Sequence, residues 1–144
     1  MKIRFGFVAM SLSLQNASPS KTMTVKRFNS IPAQEAAIRK VTRIASENIM
    51  NSLRILRHAR ASGVHVYRFS SKLIPLFGHE STDKWDFIHF LNKDFEEIGI
   101  FVREHDMRVS FHPDHFTVLN TPKKQVLQNS LADLERHHIM LEAM

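Results

Sequence analysis

Two histidines stand at positions where a folded α/β chain collects its chemistry. His79 lies in the connection after the second predicted strand, and His112 closes the third. Because the carboxyl ends of parallel strands meet at one edge of a sheet, the two imidazoles are expected to converge there. A neutral imidazole is a good ligand for Zn²⁺, Mn²⁺ or Fe²⁺. The alternative is a pair of loop histidines that bond to the backbone, and a metal site would also need carboxylates from elsewhere.

A polar and aromatic pair follows in the same loop. His115 and Phe116 come shortly after His112, beside Asp114. An exposed ring next to a planar polar side chain can stack on a nucleobase or wedge into a duplex. The alternative is that Phe116 folds back onto the core.

Alternating strands and helices must position these side chains. A buried parallel strand is almost continuously apolar, and residues 3–9 fit that pattern. The long polar loop over residues 11–30 suggests function or mobility. The later predicted elements are a helix from Pro32 to a stop at Gly63, a strand over 64–69, an irregular stretch over 70–83, a helical region over 84–105 with a break near Asn92, a strand over 108–111 and a helix over 123–142.

The order β, α, β, α, β, α indicates an α/β protein with a parallel sheet. Three strands cannot close a barrel, since a TIM (β/α)₈ barrel has eight units and about 250 residues. The chain of 144 residues is therefore either a small open domain or the first three βα units of a barrel. An open strand edge would favour self-association unless something covers it.

Composition and charge limit the classes of function. The chain has no cysteine, which excludes disulfide frameworks, thiol nucleophiles and cysteine-ligated metals. Residues 21–60 hold nine basic and two acidic side chains, a balance of +7, whereas the whole chain carries +6. Such a concentration attracts a polyanion such as DNA or RNA. The alternative is a solvated helix face.

The first residues look superficially like a signal peptide. Lys2 and Arg4 precede an apolar run over residues 5–14, but that run is interrupted by Gly6, Ser11 and Ser13. We interpret the segment as a strand and predict a cytoplasmic protein. No run reaches the roughly 20 apolar residues that a membrane span needs.

Three segments together resemble the UV damage endonuclease family. They are ENIMNSLRILRHARASGVHVYRFSSKLIPLFGHE over residues 47–80, RVSFHPDHFTVLN over 108–120 and the opening IRFGF over 3–7. The resemblance extends over essentially all of residues 1–144. It implies the N-terminal portion of a TIM (β/α)₈ barrel from an enzyme that nicks damaged double-stranded DNA 5′ to ultraviolet photoproducts such as pyrimidine dimers.

The resemblance also implies roles for particular residues. His79 and His112 match ligands of a divalent metal cluster, commonly manganese. His115 and Phe116 stand where the family has Gln and Tyr, which probe the duplex opposite the lesion. Phe7 and Ser11 stand where the family has a Tyr and an Asn near the flipped dimer, which assigns them to DNA. Lys21, Lys26 and Arg27 are basic residues of the first loop, and we assign them to DNA for that reason.

The family's carboxylate ligands lie on later strands that this chain lacks. The resemblance therefore predicts an incomplete metal site and an inactive fragment, and it identifies no catalytic residue. Two other classes remain open. A sugar isomerase or epimerase of the same barrel superfamily would need neither a basic loop nor an aromatic probe, and a non-catalytic partial barrel would bind DNA weakly or not at all.

Overall fold

A computed structural model describes residues 3–144. Lys2, which the signal-peptide interpretation used, lies outside the described residues. The elements are, in chain order, the strand β1 (Gly6–Val8), the helices α1 (Val25–Asn29) and α2 (Gln34–Ala61), the strand β2 (Val66–Ser70), the helices α3 (Phe87–Phe90) and α4 (Asn92–Glu104), the strand β3 (Arg108–His112) and the helix α5 (Lys124–Glu142).

The three strands form one parallel sheet in the order β1-β2-β3. The α/β class and the parallel pairing predicted from the sequence are confirmed. β1 is shorter at both ends than the predicted strand over residues 3–9, and it ends at Val8 because Ala9 adopts a φ of 55° and leaves the extended conformation.

Two helical segments differ from the sequence prediction. The first loop contains the short helix α1, since the Thr24 hydroxyl accepts a hydrogen bond from the backbone N–H of Arg27 at its start and Phe28 is buried beneath it. The predicted helical region over 84–105 is two helices that meet at Leu91, one residue from the expected break. Asp86 caps the first of them by accepting from the backbone N–H of His89 at 3.0 Å.

The long helix α2 supplies much of the core. Its buried apolar side chains recur at helical spacing and pack toward the sheet; they are Ala37, Ile38, Val41, Ala45, Ile49, Leu53, Ile55, Leu56 and Ala59. Each fully buried leucine or isoleucine contributes about 1.5–3 kcal/mol relative to an exposed one. The helix ends at Ala61, and Gly63 follows with a φ of 75°, as the predicted stop requires.

The sheet has one covered and one open face. Tyr67, Phe69 and Phe111 are buried on the covered face, where the rings of Tyr67 and Phe69 lie 5.0 Å apart and those of Phe69 and Phe111 lie 5.4 Å apart. Since successive side chains alternate, Arg68 and His112 point to the opposite face. Within residues 3–144, no helix combines the length and apolar character needed to cross a membrane.

Candidate functional site

His112 is the last residue of β3 and is exposed at the carboxyl edge of the sheet. Its position pairs in register with Ser70, the last residue of β2. The preceding residue, Phe111, anchors the strand by packing on the covered face. The strand therefore presents the His112 imidazole on the open face, where a ligand can approach.

His79 is half-buried in the loop after β2, and local bonds fix its conformation. Its Nδ1 accepts a hydrogen bond from the backbone N–H of Ser81 at 3.1 Å. The Thr82 hydroxyl lies 2.7 Å from the carbonyl oxygen of Leu76 and 3.1 Å from that of His79, which closes the turn. A neutral imidazole that accepts through Nδ1 carries its proton on Nε2. In this arrangement His79 presents a donor to its surroundings.

The described residues do not form a complete metal site. Imidazole suits divalent manganese, iron or zinc, so His79 and His112 are donors of the right kind. In the part of the chain that the structure describes, however, no three His, Asp or Glu side chains are grouped to hold a metal ion. The Ser81 N–H also occupies one nitrogen of His79. These residues amount to part of a donor set.

His115 and Phe116 form an exposed pair in the loop after β3. Their ring centroids are 3.9 Å apart, and Phe116 is 77% exposed. The Asp114 carboxylate contacts His115 Nδ1 at 2.9 Å and accepts from the backbone N–H of Phe116 at 3.3 Å. Phe116 therefore does not fold back onto the core, and its ring is available to a partner.

Buried Ser130 on α5 holds this loop in place. Its hydroxyl accepts from the Val118 N–H at 2.8 Å and also contacts the carbonyl oxygens of Val118 at 3.1 Å and Val126 at 2.8 Å. The preceding loop residue, Thr117, donates to Asp133 at 2.6 Å. The loop that carries Phe116 is thus attached to the helix that follows it.

Replacing Ser130 with alanine is expected to lower the free energy of unfolding by about 1–2 kcal/mol, because the part-buried N–H of Val118 loses its acceptor. Hydrogen exchange of the residue 114–118 amides should accelerate in the same variant. Urea unfolding with exchange mass spectrometry measures both. Ser62→Ala, at an exposed helix end, is the control, and equal effects from the two variants would contradict the assignment.

The basic residues of the first loop are in different environments. Lys21 Nζ forms an ion pair with Glu47. Lys26 and Arg27 on α1 are exposed, and neither pairs with a carboxylate among residues 3–144. Lys26 and Arg27 are therefore free to bind an anion, whereas Lys21 must first separate from Glu47.

Polar side chains on α2 hold the first loop, and sequence reasoning missed them. Buried Asn48 accepts from the Lys21 N–H at 2.9 Å and donates to the carbonyl oxygens of Lys21 at 2.8 Å and Leu73 at 3.1 Å. Asn51 donates to the Ser18 carbonyl oxygen at 2.9 Å. The signal available in the sequence was the pair of amides, three residues apart, on a helix face that is mostly apolar.

Phe7 packs against the covered face of the sheet, whereas Ser11 makes a local hydrogen bond. Phe7 pairs in register with Tyr67, and the two rings meet edge to face with centroids 5.6 Å apart. Strand alternation thus places Phe7 on the covered face, opposite His112. Ser11 is half-buried after β1, and its hydroxyl accepts from the Ser13 N–H at 3.3 Å. This packing favours a core role for Phe7; the predicted DNA contacts of both residues stay untested.

His137 on α5 is buried against the end of β3. Its ring stacks on Phe111 with centroids 4.8 Å apart and planes 2° from parallel. Burial lowers the pKa of His137, because the charged form loses hydration, while the nearby Asp133 carboxylate opposes that shift and Arg136 adds to it. His137 is therefore a helix-packing residue whose burial disfavours the protonated form.

The lowered pKa of His137 makes stability depend on pH. Below about pH 6.5, the ordinary histidine value, the unfolded chain takes up a proton that folded His137 does not. The contribution of neutral His137 to the free energy of unfolding is therefore complete above about pH 6.5 and is lost as the pH falls toward the lower pKa of the folded chain. His137→Gln should flatten the acid side of a stability profile measured by urea unfolding, whereas His138→Gln, at the exposed neighbour, should not. Equal slopes for both variants would refute the assignment.

Comparison with known proteins gives concordant results. The model of the family described as UV-endonuclease UvdE matches residues 3–144. A UV DNA damage endonuclease of Halalkalibacterium halodurans is 46% identical over all of this chain and 45% of its own length. One from Bacillus pumilus is 39% identical over the whole chain and 44% of its own length. The chain therefore spans less than half the length of these curated relatives.

A solved structure shows the same fold. The crystal structure of SacUVDE superposes with a TM-score of 0.81 and 28% sequence identity, over 99% of this chain and 46% of that one. The three parallel βα units described above correspond to part of that larger structure. The predicted fold class, the N-terminal part of a TIM (β/α)₈ barrel, is confirmed.

Proposed function

Since the chain belongs to the UV-endonuclease UvdE family, we propose that it is the N-terminal portion of a DNA-repair endonuclease that nicks the backbone 5′ to ultraviolet photoproducts. The proposal rests on one observation: His112 and Phe116 are both exposed, and they lie in one short segment at the carboxyl edge of the sheet. Residues 1–144 then form one continuous piece of the barrel. The substrate is damaged double-stranded DNA.

Phe116 and His115 are suited to opening a duplex. An exposed aromatic ring can occupy the space left when a base is displaced, and stacking on a base contributes about 1–3 kcal/mol. A pyrimidine dimer stacks and pairs poorly, so displacing it costs less than displacing intact bases. The exposed ring of Phe116, attached to α5 through the neighbouring Thr117 and Val118, supplies the required wedge.

Lys26 and Arg27 are suited to the DNA backbone. Both are exposed on α1 and lack a carboxylate partner among residues 3–144, so they lose no ion pair when they contact phosphates. Such contacts orient a duplex without reading its sequence. Lys21 contributes less, because its pair with Glu47 must separate first.

Membership of this family implies a metal-dependent enzyme. We assign His79 and His112 to the metal and expect manganese, with the remaining carboxylate ligands outside residues 1–144. His79 must release the Ser81 N–H if it binds through Nδ1. The chain by itself is then an inactive piece, and a cytoplasmic location stays a prediction.

An incision assay tests the proposal. A chimaera joins this chain to the portion of the Halalkalibacterium halodurans relative that the chain does not match. We expect it to nick irradiated plasmid in the presence of Mn²⁺, to leave undamaged plasmid intact and to lose activity with chelator. The isolated chain should show no lesion-specific nicking. Equal nicking of both plasmids, or nicking that survives chelation, would rule the proposal out.

The two alternative classes predict other outcomes. A sugar isomerase would leave both plasmids intact, and the exposed Phe116 has no use in binding a small sugar. A non-catalytic partial barrel would leave the chimaera inactive as well. Self-association through the outer edge of β1 or β3 is a further proposal, tested by the dependence of sedimentation on protein concentration.

A further inference from the structure

The hydroxyl of Tyr67 reaches from the central strand of the sheet to the start of the first loop. Tyr67 lies on β2 and is fully buried. Its hydroxyl donates to the carbonyl oxygen of Ala9 at 2.8 Å, and Ala9 directly follows β1. None of the roles described above uses this bond, although the loop that begins at Ala9 carries Ser11 and the basic residues assigned to DNA.

Ala9 has a backbone conformation that its neighbours must support. Its φ of 55° lies in the left-handed region, which is unfavourable for a residue with a Cβ. The Met10 N–H donates to the Val8 carbonyl oxygen at 2.7 Å, so the chain makes a three-residue turn at Ala9. Such a conformation persists only where the surrounding structure fixes it. The Ala9 N–H donates to the Arg68 carbonyl oxygen at 2.9 Å, and the Tyr67 hydroxyl binds the Ala9 carbonyl oxygen.

The environment of the Tyr67 hydroxyl keeps its proton in place. Burial raises the pKa of Tyr67 above its ordinary value, because the phenolate would lose its hydration, and hydrogen bonding with Ser52 only partly opposes that shift. The phenol is therefore a hydrogen-bond donor at neutral pH. Its bond to the Ala9 carbonyl oxygen is a permanent feature of the folded chain under those conditions.

The two ends of the first loop are fixed separately. At the far end, the Asn48 amide on α2 binds the backbone N–H and carbonyl oxygen of Lys21. At the near end, Ser11 lies two residues after the turn at Ala9. The direction in which Ser11 leaves the sheet is therefore set by that turn, and the hydrogen bond to the Ala9 carbonyl oxygen is what β2 contributes to it through a side chain.

Resting on the proposed function, we propose that Tyr67 is a positioning residue for lesion binding, because its hydroxyl fixes the turn at Ala9 and so directs Ser11 toward the displaced dimer. Tyr67 is buried, so it acts through Ser11 and not by touching DNA. Tyr67→Phe separates this role from packing. The variant keeps the aromatic ring that meets Phe7 edge to face, so the core stays filled, and it loses only the hydroxyl.

Steady-state incision by the chimaera, on a duplex that carries one pyrimidine dimer, tests the proposal. Tyr67→Phe is expected to raise KM about tenfold with kcat unchanged, because it weakens binding and leaves the chemical step intact. Ser11→Ala should raise KM by a similar factor. The double variant should raise KM no further, since Tyr67 acts through Ser11. Asp86→Ala removes the hydrogen bond that caps α3, so it controls for a general loss of stability and should keep the parental KM.

Hydrogen exchange of the isolated chain gives a second readout that needs no activity. The amides of Met10 and Ser13 should exchange faster in Tyr67→Phe than in the parent, whereas the amides of β3 should not. An unchanged KM, an equal rise of KM in Asp86→Ala, a double variant whose effects multiply, or unchanged exchange at those two amides would each overturn the proposal. A parent chimaera that fails to incise the dimer duplex, while the exchange effect is present, would instead contradict the proposed function and with it the assignment to lesion binding.

Discussion

Replacing His112 with alanine in the chimaera is expected to reduce incision of irradiated DNA at least about 100-fold, with little change in melting temperature. The side chain is exposed at the end of β3 and belongs to the open face, so its removal leaves no cavity in the core. If His112 is a metal ligand, its loss should exceed the 10–100-fold typical of residues that only orient such ligands. Rates on irradiated plasmid at fixed Mn²⁺ measure the effect.

His138→Ala is the matched control for this prediction. His138 is also exposed, but it lies on α5 and takes no part in the sheet edge. It should retain the parental rate. A His112→Ala chimaera that incises as fast as the parent would remove His112 from the proposed metal site, and a large fall in melting temperature would show that its role is structural.

Replacing Asn48 with alanine is expected to lower the free energy of unfolding by about 2–4 kcal/mol. The buried amide makes three hydrogen bonds of 2.8–3.1 Å to the backbone of Lys21 and Leu73. Alanine leaves the buried carbonyl oxygen of Leu73 and the part-buried N–H and carbonyl of Lys21 without this partner, and an unsatisfied buried group costs about 1–3 kcal/mol. The first loop should also loosen, because Asn48 joins it to the loop after β2.

Urea unfolding of the isolated chain measures this effect, with hydrogen exchange over residues 16–24 as a second readout. Asn129→Ala is the control, since Asn129 is exposed on α5 and only accepts a 3.0 Å bond from Gln125. Its cost should stay below about 0.5 kcal/mol. If Asn48→Ala costs no more than that, the amide does not support the loops in the way described.

Local sequence patterns predicted most of the secondary structure. The apolar spacing of α2 and its stop at Gly63 were sufficient to place a long helix, and the break near Asn92 was located within one residue. Helical periodicity and chain termination depend on neighbours within a few positions, so a linear sequence contains them. The short helix α1 was missed, because its stability comes from burial of Phe28 rather than from length.

The candidate site was predicted less completely. His112 and Phe116 are exposed at the expected edge. The sequence assigns the basic residues of the first loop to DNA without revealing that Lys21 is paired with Glu47, 26 residues later in the chain. The register with β2 places Phe7 on Tyr67, and its predicted DNA contact stays a prediction. Charge pairing and strand facing depend on residues far away in the chain, and composition does not reveal them.

The sequence by itself determined the order of strands and helices, the parallel sheet and the edge at which His112 and Phe116 emerge. Those features follow from local periodicity and from the requirement that helices connect parallel strands. Only the tertiary structure decided which donors are free. Ser81 occupies Nδ1 of His79, Glu47 neutralises Lys21, and His137 is left buried without a partner beside Arg136. The physical reason is that hydrogen bonding and desolvation act through space, between residues that the chain brings together only when it folds.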